Sequence, residues 1–196
     1  TKGLTDSEKE AAKSQVDTDA KAAKGAIDKA DSNDDVTNAF NNGTVAINKD
    51  AANAAIDGAL AEKNNLIDAT NLTAEEKKAV KEQAKKAADS AKTDISKAST
   101  VTDVESAKNT GVDNINKVSI PAQSDAKQKA SANIDDVAKA AKQAIDNTKG
   151  LTDSEKEAAK SQVDTDAKAA KGAIDKADSN AAVTKAFNNG TVAINK

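Results

Sequence analysis

The stretch Asp31-Ser32-Asn33-Asp34-Asp35 places acids at alternating positions, the way a calcium-binding loop begins. Such a loop needs glycine at its sixth position and a bidentate glutamate at its twelfth. Val36 stands at the first of these, and no glutamate follows in place. A near-identical stretch later in the chain reads Asp178-Ser179-Asn180-Ala181-Ala182, so a required ligand is dispensable there and helix capping is the better reading. The chain has no histidine and no cysteine, which excludes the Ser/His/Asp and Cys/His nucleophilic arrangements and most transition-metal sites. Its carboxylates fall beside lysines on faces that water would wet, not in pairs suited to acid/base work. Asn42-Gly43-Thr44, Asn71-Leu72-Thr73 and Asn189-Gly190-Thr191 match the glycosylation sequon, but two lie inside expected helices and the third overlaps a cap. No catalytic, cofactor-binding or metal residue is expected, and the chain is read as a non-enzyme.

Composition narrows the partners. The 29 lysines are nearly balanced by 32 acids, for a net charge of −3, and the two signs are interspersed. Arginine is absent and Phe40 and Phe187 are the only aromatics, so there is neither a basic patch for phosphates nor a platform for base stacking. Nucleic acid is not an expected partner. No apolar run reaches the roughly 20 residues of a membrane span and no signal peptide is visible, so the chain is expected to be an interior piece of a larger protein. Ile, Leu, Val and Phe together number 30, and alanine supplies most of the remaining apolar surface. Helices with small inner side chains are the expected outcome.

What must be positioned is therefore a core, and it is built by repetition. Residues 1–49 and 148–196 differ at only three places, Asp34/Ala181, Asp35/Ala182 and Asn38/Lys185, so 46 of 49 positions match. A diverged third copy aligns Leu4 with Leu72 and runs without gaps to Lys117. Each copy opens Leu-Thr-x-x-Glu-Lys, where Thr5 with Glu8, Thr73 with Glu76 and Thr152 with Glu155 form capping boxes. Thr102 with Glu105 has the same spacing and is expected to start the shorter helix of the middle copy.

Ala12, Val16, Ala20, Ala23, Ile27 and Ala30 follow at steps of 4, 4, 3, 4 and 3, and Val80 to Ala98 repeat those steps. One apolar stripe results, on a helix of about 25 residues and about 38 Å. A second helix carries Val36, Phe40, Gly43 and Ile47, matched by Val104, Gly111 and Ile115. A glycine on the inner face costs about 1 kcal/mol against alanine, so a closely approaching neighbour helix is expected there. A third helix lies between copies, with Ile56, Leu60 and Ile67 in one and Ile134, Ala138, Ala141 and Ile145 in the other. Pro121 favours a helix start in the longer junction. The junction from Ile47 to Ile56 has no proline, so the short helix is open to running on through Asn48–Ala55. Eight helical segments are counted in this way.

The expected core is thus Val16, Ile27, Val36, Phe40, Ile47, Ile56, Leu60, Ile67, Val80, Ile95, Val104, Ile115, Ile134, Ile145, Val163, Ile174, Val183, Phe187 and Ile194. The expected fold is all-α: tandem, spectrin-like three-helix bundles joined end to end as an elongated rod. A partial repeat of two helices spans 1–49, and repeats of three helices span 50–117 and 118–196.

The segments "LTDSEKEAAKSQVDTDAKAAKGAIDKA", "VTNAFNNGTVAIN" and "PAQSDAKQKASANIDDVAKAAKQAID" resemble the three-helix, domain-of-unknown-function repeats of giant Gram-positive cell-wall-anchored surface adhesins of the Ebh and SasC type. The Leu-Thr-x-x-Glu-Lys start, the Val-x6-Gly-x3-Ile helix and the Val118-to-Pro121 junction carry the resemblance together, over essentially the whole chain. It implies an extracellular, wall-anchored stalk that takes part in adhesion, cell clustering and wall integrity, and it brings no site residues with it. The expected partners are neighbouring repeats of the same chain, with a host matrix or serum protein, or cell-wall components, as alternatives; a monomer is expected. Two rival readings are that the bundles themselves bind such a protein, for which Val45 and Val192 are the off-stripe candidates, and that the chain is a disordered stress-protection protein. The caps and phased Ile/Val positions argue against the last.

Overall fold

The computed structural model describes Lys2 to Lys196; Thr1, at the head of the first copy, lies outside the described residues. Seven helices follow one another, with no strand among the described residues: α1 (Asp6–Asp28), α2 (Asn33–Asp68), α3 (Ala74–Lys97), α4 (Val101–Lys117), α5 (Asp125–Asn147), α6 (Asp153–Lys176) and α7 (Asn180–Ile194). The chain is all-α and built of tandem helical bundles. The eight segments become seven because α2 runs through Asn48–Ala55 as one helix of 36 residues. That stretch holds neither glycine nor proline, so nothing interrupts the hydrogen-bond ladder.

Local chemistry sets the starts. Thr5 and Thr152 each accept from the backbone N–H three residues on, while Glu8 and Glu155 bond back to the threonine N–H at 2.7 Å. Ser32, Thr100 and Ser179 cap α2, α4 and α7. The stretch that resembled a calcium loop is thus a cap, with Ser32 Oγ accepting from Asp35 N at 3.1 Å. Two expected starts move. Thr100, not Thr102, caps α4, since its hydroxyl reaches Asp103 N at 3.1 Å; Thr102 and Glu105 lie inside the helix, and Glu105 pairs with Lys108. Pro121 lies in the loop, and α5 begins only after Ser124, whose hydroxyl accepts from Lys127 N at 3.2 Å. Gly3 and Gly150 precede α1 and α6 with φ of +84° and +89°, the left-handed region that suits glycine.

Two compact units result, Thr1–Ala69 with Ala79–Ile120, and Thr70–Lys78 with Pro121–Lys196. In the first, the later half of α2 packs with α3 and α4 around Ile56, Ala88, Ala91, Ile95, Val104 and Ile115, while α1 lies along α2. In the second, α5, α6 and α7 enclose Ile134, Ala138, Val163, Ala170, Ile174, Val183 and Ile194.

Candidate functional site

The near-identical copies sit in different surroundings, and that difference defines the candidate site. In the second unit α5 covers the α6/α7 pair, and Val163, Ile174, Val183 and Ile194 are buried. Their counterparts Val16, Ile27 and Ile47 are only half-buried, and α1 contains no buried residue. Val36 is 39% exposed and Phe40 is 59% exposed, so these two are not core residues as expected. In the second unit, where α5 lies against the pair and Ala181, Ala182 and Lys185 stand in place of Asp34, Asp35 and Asn38, Val183 is 4% exposed and Phe187 half-buried. The α1/α2 pair therefore presents an open apolar face.

The glycines show how closely the helices of each pair approach. A Cβ on Gly43 would lie 2.2 Å from Ala23 Cβ, and Cβ atoms on Gly111 and Gly190 would each lie 2.3 Å from those of Ala91 and Ala170. The expected close neighbour is thus an alanine on the preceding helix. At Gly111 and Gly190 a third helix also closes in, with Ile56 Cδ1 at 2.8 Å and Ile134 Cδ1 at 3.0 Å from the same point. At Gly43 only Ala23 lies within reach.

Ion pairs place the third helix in both complete bundles. In the first unit Lys49 Nζ donates to Ser96 O at 2.8 Å, Asp57 pairs with Lys92 at 2.6 Å and Asp68 with Lys81 at 2.7 Å. In the second, Lys127 Nζ donates to Asp175 O at 2.8 Å, Asp135 pairs with Lys171 at 2.6 Å and Asp146 with Lys160 at 2.9 Å. The positions correspond one to one. Lys142 also pairs with Asp164. Lys160, held by hydrogen bonds to Glu157 and Asp146, has its pKa pushed up to about 12.

In the second unit a polar cluster gathers around the buried Lys127, Thr73 and Ser124. Lys127 reaches Asn71 Oδ1 as well as Asp175 O, both at 2.8 Å, and Asn71 Nδ2 donates to Asp175 Oδ1 at 2.9 Å. Thr73, fully buried, donates to Asn180 Oδ1 at 2.8 Å. Glu76 bonds back to Thr73 N at 3.0 Å and accepts from Ala126 N at 3.1 Å, so one carboxylate serves the starts of α3 and α5. Burial is the largest single influence and raises the Glu76 pKa, but hydrogen bonds from Thr73, Ser124 and Ala126 together outweigh it and hold the carboxyl below its ordinary 4.5. These groups satisfy one another, and the chemistry they perform is capping. Between α1 and α2 of the first unit, burial first and the Asp19 carboxylate second push the Asp50 carboxyl up.

Of the remaining expected core, Ile56, Ile67, Val80, Ile95, Val104, Ile115 and Ile134 are buried, while Leu60 and Ile145 are half-buried. Val45 packs against the first unit's core, and Val192 is 59% exposed. Sequence reasoning missed the third helix's polar pattern, Lys-x6-Ile-Asp-x9-Ile-Asp, which reads Lys49, Ile56-Asp57, Ile67-Asp68 and again Lys127, Ile134-Asp135, Ile145-Asp146. No helix among the described residues is long and apolar enough to cross a membrane.

A family model described as Domain of Unknown Function (DUF1542) matches three times, over residues 1–50, 48–123 and 126–196. No curated protein and no solved structure matches the chain.

Proposed function

The chain belongs to the DUF1542 family, the repeat domain of Gram-positive surface proteins of the Ebh and SasC type, and from that premise we propose that it is a non-enzymatic spacer in the stalk of a cell-wall-anchored adhesin. The recurrence of one crossing, Gly43 on Ala23, Gly111 on Ala91 and Gly190 on Ala170, carries the reading. A unit repeated to preserve a packing geometry has length as its natural product, with each repeat adding a fixed increment and holding a distal binding region away from the wall. A site selected for one ligand has no general need of copies that differ at three positions in 49.

Small-angle X-ray scattering on the chain tests this. A rod of two to three bundles, each about 38 Å long from the helix rise, gives a radius of gyration of about 30 Å. A compact globule of this length gives about 16 Å and a disordered chain about 47 Å. A value near the compact limit would remove the spacer reading and favour a module that itself binds a host matrix or serum protein.

A further inference from the structure

The head of the middle copy, Thr70–Lys78, belongs to the second compact unit together with α5, α6 and α7. It meets the turn between α6 and α7 through a row of hydrogen bonds. Asn71 Nδ2 donates to Asp175 Oδ1 at 2.9 Å, Thr73 Oγ1 to Asn180 Oδ1 at 2.8 Å, Ala74 N to Asp178 O at 2.7 Å, and Asn180 N to Glu75 Oε2 at 2.9 Å. Where the middle copy has Asn71 and Glu75, the outer copies have Gly3 with Ser7 and Gly150 with Ser154. Glycine offers Asp175 no side chain, and serine is too short to repeat the reach of Glu75. The backbone differs too, since Gly3 and Gly150 are left-handed and no described non-glycine residue is. On the turn side the pattern inverts. Asp175 and Asn180 recur in the first copy as Asp28 and Asn33, whereas the middle copy has Ser96 and Val101 there. Valine cannot accept a hydroxyl proton, and Ser96 Oγ already donates to Thr93 O at 2.7 Å. Each copy therefore carries one half of the contact and none carries both.

We infer that Asn71 and Glu75 are specificity residues, which make this head a plug for a turn of the Asp-x4-Asn type and so join unlike copies in preference to like ones. Thr73 and Glu76 have counterparts in every copy and supply the cap. Discrimination lies in Asn71 and Glu75 on one side and Asp175 and Asn180 on the other. All four are exposed to water, so each bond contributes modestly and selectivity comes from making them together. Near-identical repeats are prone to misassembly, and a contact that two outer copies cannot make with each other opposes it. This selection stands apart from the spacer reading, since an array of either purpose must be assembled in order.

Hydrogen exchange of the full chain, read by mass spectrometry on a peptide covering 70–78, tests it. Asn71→Gly with Glu75→Ser gives the middle copy the head of an outer one. Asp175→Ser with Asn180→Val gives the third copy the turn of the middle one. Each pair should speed exchange of the head about tenfold while the segments around Ile134 and Ile174 stay as protected as before, which separates lost docking from lost folding. All four substitutions together should add little to either pair, because a head already released has no further use for the turn. Full additivity, about a hundredfold, overturns the inference. So does a pair that leaves protection of the head unchanged. Equal loss of protection in the head and in the Ile134 and Ile174 segments also overturns it, since these residues would then support the whole unit and select nothing.

Discussion

Ile27 and Ile174 form a matched pair on which the packing argument can be tested, because the residues around them in sequence are the same. Ile174 is fully buried between α5 and α7, whereas Ile27 is half-buried on a helix with no buried residue at all. Truncation to alanine removes the same atoms and gives the same small gain in helix propensity at both positions, so only the surroundings differ. A fully buried isoleucine cut to alanine costs about 2–5 kcal/mol, through lost transfer energy and the cavity left behind. At Ile27 the space left is open to water, no enclosed cavity forms, and the loss should be about 1 kcal/mol. Native-state hydrogen exchange, read by mass spectrometry on peptides from α1 and α6, measures each locally. At 1.4 kcal/mol per tenfold, Ile174→Ala should speed exchange through α5, α6 and α7 by roughly 30-fold to 4,000-fold. Ile27→Ala should speed α1 by about fivefold. Equal effects at the two positions would refute the reasoning, for they would mean that α5 adds nothing to the burial of its neighbours.

Three further outcomes follow from the same geometry. Gly190→Ala sets two Cβ atoms 2.3 Å apart and should destabilise the second unit by about 2 kcal/mol even after the gain in helix propensity; adding Ala170→Gly should return most of that, as judged by denaturant midpoints. The folded pKa of Glu76 lies below 4.5, so its contribution, about 1 kcal/mol, is present above that pH and is lost as pH falls through the folded value. The midpoints of the wild type and Glu76→Gln should accordingly differ at pH 7 and converge towards pH 3. Asp50 is the opposite case. Its raised pKa favours the protonated form, so its penalty grows as pH rises, and Asp50→Asn should stabilise the first unit by about 1 kcal/mol at pH 7 with little effect at pH 3 in thermal melts.

The parts of this molecule that were legible in its sequence are those written locally. Thr5-x-x-Glu8 and its two counterparts bring both halves of a cap within four residues, and the stripe through Val80 and Ile95 needs only helical periodicity. Thr102-x-x-Glu105 has the same spacing and misleads, because Thr100 two residues earlier offers an equally good hydroxyl and the helix starts at the first that fits. The burial of Val36 and Phe40 could not be read from their own surroundings. Valine is core at 183 and surface at 36, and the two stretches differ both in the helix laid against them and in Ala181, Ala182 and Lys185, which stand where the first copy has Asp34, Asp35 and Asn38. The lysine and aspartate stations of α5 stood in the sequence throughout, but Lys171 and Lys160, which give them meaning, lie on α6.

The absence of buried residues in α1 has a mechanical consequence. Under a pull applied ahead of Thr5, the helix to detach first should be the one with the least to lose. The 23 residues of α1 measure about 35 Å while helical and about 80 Å when drawn out, so its release yields roughly 45 Å of slack. The later half of α2, clasped by α3 and α4, keeps its core while this happens.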